Sequence, residues 1–303
     1  MTNKPKADSK KKPTHKSGYV AIVGKPNAGK STLMNRILGT KLSITTHKPQ
    51  TTRHQVLGIH SNEHAQLIFL DTPGIINPKY ELQKAMMRFV NKAEKDADVV
   101  LFIVEAGEDN LPEYAFDSLK HLQKPVILVI NKIDLKPKDE VQQLATKIED
   151  MHRFEDTVLI SALGGEGIPS LMEAITKYIP EGPPFYPKDE LSEHPVRFFV
   201  AELIREQIYL QFHQEIPYSA TVSIVQYDER DDLDYISADI IVNQKSQKGM
   251  LIGKGGKAIK KLGMESRKTI QEFVGRKVFL DLHVKVREKW REKENMVRYL
   301  GYN

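Results

Sequence analysis

Six short apolar runs punctuate the first 180 residues of this 303-residue chain, at 19–23, 55–59, 65–70, 99–104, 126–130 and 157–160. Each is too short for a helix and rich in β-branched or aromatic residues, so each reads as a strand. Helical periodicity is seen at 32–38, 79–95 and 111–122. Strands with almost no polar positions must be covered on both faces. The pattern therefore predicts an α/β domain with a mostly parallel sheet and helices on both sides. The pattern changes after residues 180–195, which hold five prolines among charged residues and read as a semi-rigid linker. Beyond it, apolar residues recur at three- and four-residue spacing over 198–212, alternate over 219–225 and 235–242, and return to helical spacing up to Val274. A strand at 277–286 and a helix at 288–300 follow. The order α-β-β-α-α-β predicts a second, α+β domain. The expected divisions are a tail 1–16, a domain 17–180, a linker 181–195 and a domain 196–303.

Charge sharpens this picture. The net charge of +5 is uneven. Residues 1–16 carry six lysines and one aspartate, residues 17–194 carry 20 basic and 24 acidic, and residues 195–303 carry 19 basic and 15 acidic. Basic character thus sits in the tail and the C-terminal domain, pointing to a polyanionic partner away from the first domain. The tail has almost nothing apolar and is expected to be disordered. It lacks the apolar centre of a secretory signal and the arginines of an organellar presequence. It reads as a contact for RNA or for an anionic membrane surface, or equally as a solubilising arm. Absence of cysteine excludes disulfides and thiolate metal sites and suits a cytoplasmic chain, with peripheral contact at the inner membrane face as the variant. No apolar run approaches the roughly 20 residues of a membrane span.

The stretch Gly24-Lys25-Pro26-Asn27-Ala28-Gly29-Lys30-Ser31, followed by Thr32, joins a strand to a helix. In that context G-x-x-x-x-G-K-S is a phosphate loop. The glycines let consecutive N–H groups turn towards phosphate oxygens, and the helix adds its positive end. Lys30 suits the β- and γ-phosphates, and the Ser31 hydroxyl suits Mg²⁺. Asp71-Thr72-Pro73-Gly74 ends another strand, placing a carboxylate where it can back the metal through water and the Gly74 N–H where it can sense a γ-phosphate. Asn131-Lys132-Ile133-Asp134 ends a third. Asp134 can accept from guanine N1–H and its amino group, which adenine cannot match. Lys132 is expected over the base, Asn131 on the phosphate loop, and the Ala162 N–H of Ser161-Ala162 at guanine O6.

These four stretches together resemble the translation-factor-like branch of the Ras-type GTPases, and the chain is similar to the Era family over nearly its whole length. The resemblance implies GTP and GDP as ligands, Mg²⁺-dependent hydrolysis, and Pro49-Gln50-Thr51-Thr52-Arg53 as the first switch. Thr52, with Thr51 as the alternative, is then the switch threonine on Mg²⁺, and Lys30, Thr52 and Gly74 are the groups at the reacting phosphate. Ras has a water-orienting glutamine after the glycine of this motif, but this chain has Ile75, whose side chain cannot hydrogen-bond. Either hydrolysis is slow or another group positions the water. Related GTPases with asparagine at the position of Asn27 use K⁺, so a K⁺ ion at Asn27 is a further expectation. The family also implies binding near the 3′ end of small-subunit ribosomal RNA during assembly of the small subunit, as a monomer.

In the second domain, Gly253-Lys254-Gly255-Gly256 looks like the G-x-x-G loop of a KH domain of the bacterial type, which clamps an RNA backbone. On a helix from Lys257, the residues Ala258, Ile259, Leu262, Ile270 and Phe273 share one side, and Lys257, Lys260, Lys261 and Lys268 the other. Residues 245–277 hold ten basic and two acidic residues. The lysine stripe continues from the glycine loop and reads as an RNA face. Ile252, Ile259 and Ile240 or nearby residues are the expected apolar lining for bases. His47, His54, His60 and His64 lie close in sequence, but their spacing fits solvated surface better than a metal site. Three other readings compete with the RNA-binding switch: an RNA-binding module with a merely structural GTPase domain, a small-molecule kinase using ATP, and a membrane-associated GTPase.

Overall fold

The computed structural model describes residues 15–108 and 111–302. Most of the lysine-rich tail, with the contacts expected of it, lies outside the described residues.

The first domain is built on a six-stranded sheet of order β2-β3-β1-β4-β5-β6. Its strands are β1 (Lys16–Gly24), β2 (Val56–Ser61), β3 (Ala65–Asp71), β4 (Val99–Glu105), β5 (Val126–Asn131) and β6 (Asp156–Leu159). All neighbours run parallel except the edge strand β2, which pairs antiparallel with β3. Its helices are α1 (Lys30–Leu38), α2 (Glu81–Asp96), α3 (Tyr114–Asp117), α4 (Lys138–Met151) and α5 (Ile168–Tyr178). Side chains alternate across each strand, so one sheet makes two cores. Ala21, Val23, Phe102 and Leu128 face α2, α3 and α4, while Ile22, Phe69, Leu101 and Val129 face α1 and α5.

Several elements differ from the sequence pattern. β1 begins at Lys16, whose ammonium caps the end of α5 by donating to Thr176 O at 2.6 Å. The helix expected over 111–122 shrinks to α3 and a 3₁₀ turn at Leu119–His121, because only Ala115, Phe116 and Leu119 supply buried surface there. Helices α4 and α5 were not among the expected elements. Yet α4 buries Val141, Ala145 and Ile148, a helical spacing with acidic residues in the first turn.

The second domain has a three-stranded sheet of order β7-β8-β9, from β7 (Thr221–Glu229), β8 (Asp234–Val242) and β9 (Val278–Val286). β7 and β8 are antiparallel, and β8 and β9 parallel. Helices α6 (Val196–Gln211), α7 (Ile216–Ser219), α8 (Lys245–Ile252) and α9 (Lys257–Val274) accompany it, with α10 (Glu294–Tyr299) last. Val200, Ile204 and Ile208 of α6 and Leu262 and Ile270 of α9 pack on Ile236, Ala238 and Ile240 of β8. The single helix expected over 288–300 is broken into a 3₁₀ turn at Trp290–Glu292 and α10. Lys289 takes a positive φ of 53°, and Trp290 is buried with its indole N–H on Ser219 O at 2.8 Å.

The proline-rich linker is fastened to the first domain. Ile59 N–H on β2 donates to Leu191 O at 2.9 Å, and Gln66 receives the N–H groups of Phe185 and Tyr186 at 2.7 and 2.9 Å. The domains also meet directly, where Leu82, Ala85 and Met86 of α2 pack with Ile241, Trp290, Val297 and Tyr302.

Candidate functional site

The turn between β1 and α1 needs unusual backbone. Gly24, Asn27 and Gly29 have φ of 151°, 66° and 99°. At Gly29 the reason is also steric: a Cβ there would lie 2.1 Å from Asn131 Nδ2. That amide group donates to Ala28 O at 2.8 Å, so the β5 end clasps the loop from below. Lys30 is only 6 % exposed, and its ammonium donates to Gly24 O at 3.1 Å and Lys25 O at 2.8 Å. Burial pushes its pKa down to about 8, and the nearby Asp71 works against that shift.

Asp71 ends β3 beside this lysine. Its Oδ2 accepts the Ser31 hydroxyl at 2.6 Å, and Ser31 Oγ lies 2.9 Å from Thr52 Oγ1. Its Oδ1 is buried without a hydrogen-bond partner. Desolvation raises the carboxyl pKa, against the Ser31 hydrogen bond, the Lys30 charge and the neighbouring Ser43 hydroxyl, which is itself buried and not in hydrogen-bond geometry. An ionised oxygen in such a place lacks compensation, and a hard cation would supply it. Ser31, Thr52 and Asp71 are all oxygen donors, which suits Mg²⁺. Thr72 donates to Ile22 O at 2.7 Å, which pins the Asp71-Thr72-Pro73-Gly74 turn to β1. A Cβ on Gly74 would fall 2.5 Å from Pro26 N, so this turn can approach the phosphate loop only as glycine. Ile75 N–H donates to Gly24 O at 2.9 Å, and its side chain is buried.

A cavity of about 620 Å³ opens between these groups and the β5 and β6 ends. Pro26, Lys30, Thr46 and Asp134 are among its walls. Lys132 adopts φ 65°, and its ammonium pairs with Glu105 at 2.7 Å. Ala162, whose N–H is expected at guanine O6, lines the cavity, but that N–H has a partner within the chain. It donates to Asn131 Oδ1 at 2.9 Å, because the Asn131 amide is shared between Ala28 and Ala162. Ser161 is buried, and its hydroxyl accepts Gly164 N–H at 3.0 Å. Among the cavity residues missed from the sequence are Glu105 and Leu210. Glu105 ends strand β4 and carries the same strand-end signal as Asp71. Leu210 comes from α6 of the other domain, which no local signal announces.

The polar segment after α1 is tied to the second domain. Arg53 is 1 % exposed and donates to Ala220 O at 2.7 Å and Pro217 O at 2.8 Å. Glu206 of α6 pairs with Lys41 at 2.6 Å and accepts Thr45 N–H at 3.1 Å. Asn27 Nδ2 reaches the segment at His47 O, 3.1 Å away. Solvated surface does not describe His54. Its ring stacks on Tyr302 at 4.3 Å between Phe89 and Phe198, and desolvation drives its pKa down to about 4. Among the described residues no group of histidine and carboxylate side chains forms a metal site.

In the second domain Gly253, Gly255 and Gly256 have φ of 70°, 60° and 75°. A Cβ on Gly253 would meet the Ala258 Cβ at 2.7 Å, whereas the spaces at Gly255 and Gly256 are open. Lys254, Lys257, Lys260, Lys261 and Lys268 are all exposed. Among the described residues none of these five is in an ion pair. Ile252 and Ile259 are half-buried beside the loop. Ile240 is fully buried on the inner face of β8 and cannot line a groove.

A phosphate loop at the head of a six-stranded α/β sheet, joined to a three-stranded sheet carrying a G-x-x-G turn, defines a GTPase fused to a KH domain. A family model described as 50S ribosome-binding GTPase matches residues 19–132, and one described as KH domain matches residues 215–291. GTPase Era of Syntrophus aciditrophicus is 44 % identical over 292 residues, covering 95 % of each chain. A variant of Aquifex aeolicus Era bound to GDP and aluminium fluoride superposes with TM-score 0.91 at 42 % identity, covering 95 % of this chain and 99 % of that one. Era in complex with MgGDPNP and nucleotides 1506–1542 of 16S ribosomal RNA superposes with TM-score 0.92 at 41 % identity and the same coverage. The chain belongs to the Era family of GTPases.

Proposed function

We propose that this GTPase binds the 3′ region of small-subunit ribosomal RNA through its KH domain and acts, as a monomer, in assembly of the small subunit. The observation that carries this reading is the exposed lysine face running on from the Gly253–Gly256 loop, on a chain that superposes along 95 % of its length on an Era holding 16S RNA. The family model whose description names the 50S subunit spans only residues 19–132 and leaves the KH domain out. The two working units are residues 17–180 and 196–303, with 181–195 as the connection.

In the nucleotide site, Gly24 to Thr32 wrap the phosphates, Lys30 sets its charge against the β- and γ-phosphates, and Asp134 reads the guanine edge. Ser31, Thr52 and Asp71 are the residues that would hold Mg²⁺, Asp71 through water, and the bound ion would supply positive charge against the negative charge that develops on the leaving GDP oxygen. A water oxygen bonds to the γ-phosphorus as the bond to the GDP oxygen breaks, and Gly74 N–H is placed at the γ-phosphate. Ile75 offers the water no hydrogen bond, so turnover is slow. Asn27 lies where the phosphate loop meets the His47 carbonyl. The Asn27 amide now presents its Nδ2–H to that carbonyl; with the amide turned over, its oxygen and the carbonyl would suit K⁺, which would then aid hydrolysis. Asn27→Ala should abolish any rate advantage of K⁺ over Na⁺; an unchanged advantage removes the ion from this site.

The deciding experiment is RNA affinity of the full chain for a small-subunit 3′-end fragment, with a GTP analogue and with GDP, at fixed salt and against a scrambled RNA. Tighter binding to the cognate fragment in one nucleotide state is expected. Equal, sequence-blind binding would leave only a GTPase with general RNA affinity.

A further inference from the structure

We propose that Tyr209, a residue of the KH domain, is a positioning residue for the GTPase site. Its hydroxyl bridges the two ends of one short stretch of the switch segment. It donates to Gln50 O at 2.8 Å and accepts from Arg53 Nη2 at 3.2 Å. The two residues enclosed are Thr51 and Thr52. On the far side Arg53 is fixed to Ala220 O and Pro217 O. On the near side Lys48 donates to Phe212 O at 2.6 Å and to Tyr209 O, the carbonyls that end α6. A cation is favoured there by the helix dipole. Every one of these contacts crosses from one domain to the other. With the clamp closed, Thr52 Oγ1 stands 2.9 Å from Ser31 Oγ. Docking of α6 and placement of Thr52 beside Ser31 therefore belong to one geometry.

The ring and the hydroxyl of Tyr209 do separable work. The ring is fully buried, with the Arg53 and Arg205 guanidinium groups 5.9 and 5.6 Å from its centroid and Tyr218 edge-on. Phenylalanine keeps that packing and removes only the bridge. If the bridge holds Thr52 for the metal, its loss weakens nucleotides that use Thr52 and spares those that do not. GTP needs a closed switch around its γ-phosphate, and GDP has no group for the switch to hold.

The inference rests on Thr52 as the Mg²⁺ ligand, and the experiment separates the two. Affinities of the full-length chain for a fluorescent non-hydrolysable GTP analogue and for GDP, both with Mg²⁺, are compared for wild type, Tyr209→Phe, Lys48→Met and Thr52→Val. Tyr209→Phe should weaken the analogue about five- to tenfold and change GDP by less than about twofold. Lys48→Met alters a partly exposed side chain and should act in the same direction. Added to Thr52→Val, Tyr209→Phe should have no further effect, since both act through one interaction. If Thr52→Val leaves the analogue-to-GDP ratio intact, the metal-ligand reading fails. If Thr52→Val collapses the ratio while Tyr209→Phe and Lys48→Met leave it unchanged, or weaken both nucleotides equally, the role of Tyr209 is overturned.

Discussion

Asp134 stands exposed in the cavity wall, where its carboxylate can only accept hydrogen bonds. An asparagine offers one acceptor and one donor, the complement of xanthine. Asp134→Asn should lower GTP affinity by on the order of a hundredfold or more and favour xanthosine triphosphate. Competition between the two nucleotides checks this, and retained preference for GTP would remove Asp134 from base reading. Residue chemistry of this kind was legible from the chain, because each short motif sits within one loop. The partners were less so. Ala162 N–H belongs to Asn131, and Lys132 to Glu105, because three strand ends converge there. Their spacing along the chain carries no mark of that convergence.

Elements were legible in proportion to their periodicity. The β1–α1 and β3 turns followed from apolar runs ended by glycine and aspartate. The break before α10 did not, since it serves Trp290, which must reach Ser219 on another element. The loop between α8 and α9 gives the element-scale test. Gly255 has φ 60° and nothing within 4 Å of its absent Cβ, a conformation that aspartate tolerates better than most residues. Lys254→Asp with Gly255→Asp should therefore fold. Two carboxylates facing a phosphate backbone should cut RNA affinity at least about tenfold and flatten its salt dependence. GTP turnover without RNA should stay near wild type. By contrast Gly253→Ala must displace Ala258 and would report on folding as much as on RNA.

At the scale of the molecule, the two domains are locked by a contact made of Trp290, Tyr302, Val297 and the α2 face. Tyr302 stacks on His54 and shares its hydroxyl with Thr221 at 2.9 Å. Trp290→Ala should cost about 3–5 kcal/mol at this seam. Because the six-stranded core does not depend on it, urea unfolding followed by separate probes in the two domains should split into two transitions, the C-terminal one moving to lower urea. A single coincident shift would mean that the domains unfold as one unit.

Neighbours along the chain settled the strands of both domains and part of their helices, the phosphate loop, the Asn131-Lys132-Ile133-Asp134 corner and the glycine turn with its lysine stripe. They did so through periodicity and backbone freedom. Tertiary structure alone decided that Leu210 reaches the nucleotide cavity, that Ile240 is lost to the core, and that Tyr209 grips the segment around Thr52. Ile240 is claimed by the second domain's own core, where it packs with Ile208, Leu251 and Leu262. The Tyr209 bridge to Gln50 joins residues 159 positions apart. That bridge and the reach of Leu210 exist only because the two domains dock in one orientation, which no local pattern encodes.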